Sequence, residues 1–163
     1  MRGEPMSKPL SHVDSQGQAR MVDVGAKPIV AREAVAEGFF CAQPATIDLL
    51  MAAKLPKGEA IGAARIAGIL AAKRCDELIP LCHTLPLDSV NLDFQRVGPD
   101  RIRIEATARI TAKTGVEMEA LTAVSVAALT LYDMTKAVDR DLRIEGIRLV
   151  RKSNNKPNVE SSE

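Results

Sequence analysis

Tryptophan is absent from this chain, and Phe39, Phe40, Phe94 and Tyr132 are its only aromatic residues. So few rings leave no platform on which bases could stack, and the core has to be packed from Ala, Val, Leu and Ile. Charge of one sign is also missing: the net charge is +1 and no basic block exceeds two residues, which removes electrostatic support for nucleic-acid or membrane-surface binding. No apolar stretch approaches the ~18 residues needed to span a bilayer, and the first residues, MRGEPMSKPLSHVDSQGQAR, lack the apolar run of a signal peptide. Cys41, Cys75 and Cys82 are odd in number and show no CxxC spacing, which fits a reducing cytoplasm better than a disulfide scaffold. Cys82 and His83, with Cys75 and His12 poorly spaced around them, do not make a zinc set.

What the chain does have is a long helical pattern from Gly115 to Arg140, GVEMEALTAVSVAALTLYDMTKAVDR. Glu117 and Glu119 lie in its first turn, and Lys136 and Arg140 lie near its expected end, matching the helix dipole. Glu119, Asp133, Lys136 and Arg140 share one flank at 3.6-residue periodicity. Such a flank is either a solvated stripe or a functional surface, and the apolar neighbours Leu129, Leu131 and Met134 favour a paired or buried Asp133. Glu119 and Asp133 are nevertheless roughly 21 Å apart at ~1.5 Å rise per residue. Either they serve different sites or oligomer symmetry interleaves the ends of neighbouring helices.

The remaining elements follow from periodicity and punctuation. Residues 1–20 read as a flexible arm, 21–152 as one domain, and 153–163 as a polar tail. Pro28 to Cys41 alternates as a strand, Pro44 to Lys54 and Ala60 to Arg74 are helices, and Leu78 to Pro86 is a proline-bracketed loop. In the second helix Ile61, Ile66, Ile69 and Leu70 form the expected apolar stripe, while its Gly and Ala residues suit close backbone approach. Ser89 to Arg96 and Arg101 to Ile110 form an antiparallel hairpin around Gly98-Pro99-Asp100, and Leu142 to Val150 supplies the last strand. The order β-α-α-β-β-α-β predicts an α+β, ferredoxin-like sandwich, an antiparallel sheet with helices packed on one face.

Several side chains have two readings at this level. Arg32 is an edge-strand surface charge or an anion-binding guanidinium. By contrast, Lys57 and Lys73 read as a solvated loop charge and a solvated helix-end charge. His83 is a satisfied structural group or a proton carrier.

Longer strings narrow the choice. MVDV (Met21 to Val24), KGE (Lys57 to Glu59), ARIAGILAAKR (Ala64 to Arg74), LIPLCH (Leu78 to His83), KTGVEMEALTAVSVAALT (Lys113 to Thr130) and YDM followed by KAV (Tyr132 to Val138) occur in one order. Together they resemble the molybdenum cofactor biosynthesis protein C (MoaC) family, the cyclic pyranopterin monophosphate synthases, from Met21 to Lys152. The resemblance implies a lyase that converts 3',8-cyclo-7,8-dihydroguanosine 5'-triphosphate to cyclic pyranopterin monophosphate and diphosphate. It also implies a cytoplasmic hexamer built from dimers with active sites at subunit interfaces. No resident cofactor is implied, and Mg²⁺ is expected only as a companion of the triphosphate. A non-catalytic oligomeric module that binds a nucleotide or pterin is the alternative reading.

By the same resemblance, Asp133, Lys136, Lys57 and His83 match catalytic positions. Leu81, Cys82, His83, Met118, Glu119, Glu117, Lys73 and Arg32 match substrate-binding positions, and Asp23 matches as well. Thr84 stands where the family usually has Pro, Asn154-Asn155 where it has Gly-Gly, and Thr135 where Cys is common. The first of these departures bears on how firmly the His83 loop is held.

Overall fold

The computed structural model describes residues 16–155, so most of the expected arm, His12 and the end of the expected tail lie outside the described residues. Its strands are β1 (Val30–Cys41), β2 (Ser89–Arg96), β3 (Arg101–Ala112) and β4 (Arg143–Asn155). Its helices are α1 (Pro44–Met51), α2 (Ala60–Lys73), the single turn α3 (Cys75–Leu78) and α4 (Glu117–Thr135). The sheet order is β2-β3-β1-β4 with every neighbour antiparallel. This is the expected α+β ferredoxin-like arrangement.

Alternation decides which side of the sheet meets the helices. Ala34, Ala36 and Phe40 of β1 sit opposite Ala108, Ala106 and Ile102 of β3, all fully or almost fully buried. Gly38 lies on the same face, where a Cβ would stand 2.8 Å from Val124 Cγ1 of α4. The other face carries charge: Glu33 meets Arg109 and Arg151, Glu37 meets Arg103 and Arg148, and Glu145 meets Arg101 and Arg143.

Three expectations are corrected. In α2 the buried residues are Ala60, Ala64, Gly68, Ala71 and Ala72, whereas Ile66 and Leu70 are 62% and 47% exposed. The small side chains face α4 because the two helices nearly touch: a Cβ on Gly68 would lie 2.8 Å from the carbonyl oxygen of Ala123. The long helix ends at Thr135 rather than Arg140, with Lys136 as its C-cap. There the buried Asp139 turns the chain, accepting from the backbone N–H of Gln43 and of Asp141 at 2.8 Å each. Finally, β4 continues beyond Val150 to Asn155 because β1 supplies a partner, pairing Arg32 with Asn154 and Ala31 with Asn155. The interior place of β1 in the sheet also disposes of an edge-strand role for Arg32.

Candidate active site

The expected residues gather at the two ends of α4. At the C-terminal end, the Asp133 carboxylate joins two ammonium groups, Lys136 Nζ at 2.7 Å from Oδ1 and Lys57 Nζ at 2.8 Å from Oδ2. Lys57 also donates to the Asp133 carbonyl at 2.8 Å. Its position is fixed locally. Leu55 is buried, Gly58 N–H closes a turn onto Leu55 O at 2.9 Å, and Gly58 takes φ 92°, a conformation glycine adopts without strain. One residue later Glu59 caps α2 through Gly62 N–H at 2.7 Å.

The flanking cations dictate the charge of this group. Hydrogen bonds from Lys136 and then Lys57 hold the Asp133 carboxyl down at about 2, and the same bond raises Lys136 above its ordinary value. At neutral pH the cluster is a carboxylate between two ammonium ions, open to solvent.

At the N-terminal end of α4 lies a cleft of about 380 Å³. Leu81, Cys82 and His83 line one side, and Thr114, Gly115, Glu117, Met118 and Glu119 another. Val22, Val24 and Lys27 close it from the segment before β1. Glu119 is 3% exposed, and burial, reinforced by the charges of Glu117 and Asp76, raises its pKa; Cys75 hydrogen-bonds it. Such a carboxyl is suited to holding a proton closer to neutrality than a surface glutamate does. Glu117 instead pairs with Lys152 at 3.3 Å.

His83 Nε2 lies 2.9 Å from the carbonyl oxygen of Val22. A carbonyl only accepts, so Nε2 carries the proton, and Nδ1 is the acceptor nitrogen of the neutral ring. The thiols are poor nucleophiles here: burial pushes Cys75 up to about 12 and raises Cys82. The Thr84 hydroxyl donates to the Asp76 carboxylate and ties the loop to α3. Thr135 is equally well accommodated, fully buried with its hydroxyl donating to Leu131 O at 2.6 Å.

Two expected substrate contacts fall outside both clusters. Lys73 lines a separate groove with Ile69, Leu85 and Asp88. Arg32 clamps the β3–α4 connection, donating to Ala112 O and Lys113 O at 3.0 Å each and to Asn154 Oδ1 at 3.2 Å. Val22, Val24, Lys27 and Thr114 also line the cleft. Val22, Val24 and Thr114 fall within the MVDV and KTG strings, whereas Lys27 carries no sequence signal.

Comparison with known proteins identifies the family. A sequence model of the MoaC family matches residues 21–155. A cyclic pyranopterin monophosphate synthase of Chloroflexus aggregans is 56% identical over 147 residues, 88% of this chain and 87% of that protein. The synthase of Pelotomaculum thermopropionicum is 55% identical over 152 residues, covering 92% and 89% respectively. That of Roseiflexus sp. strain RS-1 is 59% identical over 145 residues, covering 88% and 92%. Similarity at this level along nearly the whole folded part means that the chain belongs to the MoaC family.

Proposed function

We infer that this chain is a cyclic pyranopterin monophosphate synthase, a lyase of molybdenum cofactor biosynthesis. It acts on 3',8-cyclo-7,8-dihydroguanosine 5'-triphosphate and releases cyclic pyranopterin monophosphate and diphosphate. The observation that carries the reading is the Lys57–Asp133–Lys136 cluster, in which a loop lysine meets an i, i+3 pair at the end of α4 through contacts of 2.8 Å or less. Opening the cyclised nucleotide and rebuilding a pterin ring require several proton transfers. Lys136 is protonated at rest and serves as the general acid. Asp133, anionic throughout the neutral range, aligns the two ammonium groups and holds the Lys136 proton until transfer. Closing the cyclic phosphate expels diphosphate, and Lys57 faces the charge that then develops. Glu119 and His83 supply proton-holding groups at the other end of α4.

Those two ends are roughly 21 Å apart on one chain at ~1.5 Å per residue. The reading therefore includes a second subunit at each site, in a cytoplasmic hexamer built from dimers. Support comes from the outer surface of α4, where Met118, Leu121, Ser125, Leu129 and Tyr132 form a stripe at helical spacing. Leu129 is 58% exposed, and Ile66 and Leu70 add apolar surface on neighbouring α2. A helical face so apolar is suited to another subunit. The three cysteines stand free, as a reducing compartment requires.

Turnover tests the reading. Purified protein incubated with freshly made cyclic dihydro-GTP is expected to release diphosphate and to yield a pterin that fluoresces after oxidation. Asp133→Ala is expected to lose at least ~10²-fold in kcat, the usual scale for a group engaged in proton transfer. Tight nucleotide binding without either product would mark a binding module instead.

A further inference from the structure

Ion pairs between exposed groups contribute too little to hold two long side chains in one place, and the Lys57–Asp133–Lys136 cluster is open to solvent. Its geometry has to come from the backbones that carry the lysines. Lys136 follows the last residue of α4, and Lys57 lies in the connection from α1 to α2. These two backbones meet again at a buried group, Asp139.

Asp139 is 7% exposed, and the bonds it accepts come from its own turn and from the start of α1. Oδ2 takes the N–H of Gln43, Oδ1 takes the N–H of Asp141, and the Thr46 hydroxyl and the Arg140 N–H also reach the carboxylate. Burial opposes the charge, but these bonds outweigh it and lower the pKa. Gln43 is the N-cap of α1 and makes no side-chain cap bond, so Asp139 supplies the missing anion from 96 positions away.

Both lysines are thereby bracketed. Lys136 stands between fully buried Thr135 and buried Asp139, with the N–H groups of Val138 and Asp139 closing onto Thr135 O at 2.9 and 3.3 Å. Lys57 follows α1, whose Ile47 and Leu50 are buried, and then buried Leu55. The contacts form a ring: Asp139 holds α1, α1 leads to Lys57, Lys57 meets Asp133, and Asp133 meets Lys136.

We propose that Asp139 is the positioning residue of the Lys57–Asp133–Lys136 cluster, fixing the spacing of the two lysine backbones by tying the turn after α4 to the start of α1. The inference rests on the synthase reading for its catalytic consequence. Its first readout is independent of turnover: brief acetylation with acetic anhydride, with mass spectrometry reporting the reactivity of Lys136. Steady-state assays with cyclic dihydro-GTP supply the second.

Asp139→Asn turns an amide NH₂ toward a backbone N–H and breaks one of the bonds. Lys136 should then be acetylated faster than in wild type, because separation from Asp133 removes the contact that raises its pKa. A shift of the lysines should lower kcat by about 10- to 100-fold and leave KM within about threefold. Thr46→Val deletes one hydroxyl bond on α1, outside the cluster, and should move both readouts the same way, with Thr46→Ser restoring them. A lower melting temperature with kcat and Lys136 reactivity unchanged overturns the assignment, and so does a rise in KM alone. Should Asp139→Asn fail to fold, the Thr46 pair decides, and a Thr46→Val protein with wild-type readouts refutes the proposal. An inactive wild type whose Lys136 still gains reactivity in Asp139→Asn supports the positioning role and counts against the synthase reading alone.

Discussion

Glu37 is a glutamate in the middle of an interior strand, 5% exposed, and it survives there because two arginines converge on it. Arg148 donates to Oε1 at 2.7 and 2.9 Å and Arg103 to Oε2 at 2.7 Å. The bonds from Arg148 and then Arg103 lower its pKa below the ordinary 4.5 despite burial. A carboxyl depressed in the fold stabilises it above the unfolded value, and that contribution disappears as pH falls through the folded value. Glu37→Gln is therefore expected to destabilise by about 2 kcal/mol at pH 7, the scale of charged hydrogen bonds. The gap between variant and wild type should close as urea melts are taken below pH 4.5 toward the lower folded pKa. An undiminished gap at acid pH would mean that packing, not charge, is what the substitution removes.

At the scale of elements, the contact between α2 and α4 reverses a simple rule. Large aliphatic residues usually mark the buried stripe, yet Ile66 and Leu70 point outward because Gly68 sets the helix spacing. Alanine at position 68 would gain up to ~1 kcal/mol of helix propensity. Its Cβ, however, would stand 2.6 Å from Leu92 Cδ2 and 2.8 Å from the Ala123 carbonyl oxygen, and the latter is backbone that cannot swing aside. Overpacking of this kind costs ~1–3 kcal/mol, so Gly68→Ala is expected to be net destabilising in denaturant titration. Equal or greater stability would show that the helices part without cost. The strands, whose two-residue alternation is local, were legible in sequence, as was the position of the Leu78 to Pro86 loop. The inward face of α2 was not, since it depends on a neighbour more than fifty residues away. The end of α4 was misjudged because Lys136 and Arg140 look like last-turn charges, while Asp139 turns the chain through a bond to Gln43. The Lys57–Asp133–Lys136 cluster has the same character: family strings pointed to Lys57 and Asp133, but only folding brings groups 76 positions apart to 2.8 Å.

For the whole molecule, the length of α4 is a symmetry argument. Val126 stands midway in sequence between Glu119 and Asp133, next to Ser125 at the centre of the stripe on the outer surface of α4. A two-fold axis near it would lay one copy's Glu119 end beside the other copy's Asp133 end, creating two equivalent composite sites per dimer. This arrangement predicts complementation. Glu119→Gln and Asp133→Ala should each be inactive alone, since every site in either homodimer lacks one group. A mixed dimer concentrates both defects in one site and leaves the other intact. Random pairing at equal amounts makes half the dimers mixed, so co-expressed variants should recover about one quarter of wild-type kcat per chain. Differential tags on the two variants allow the mixed species to be isolated, where the value should rise to about one half by the same symmetry. Activity that stays at the level of the single variants in isolated mixed dimers would assign both groups to one chain's site, and the apolar stripe on α4 would then need a different occupant.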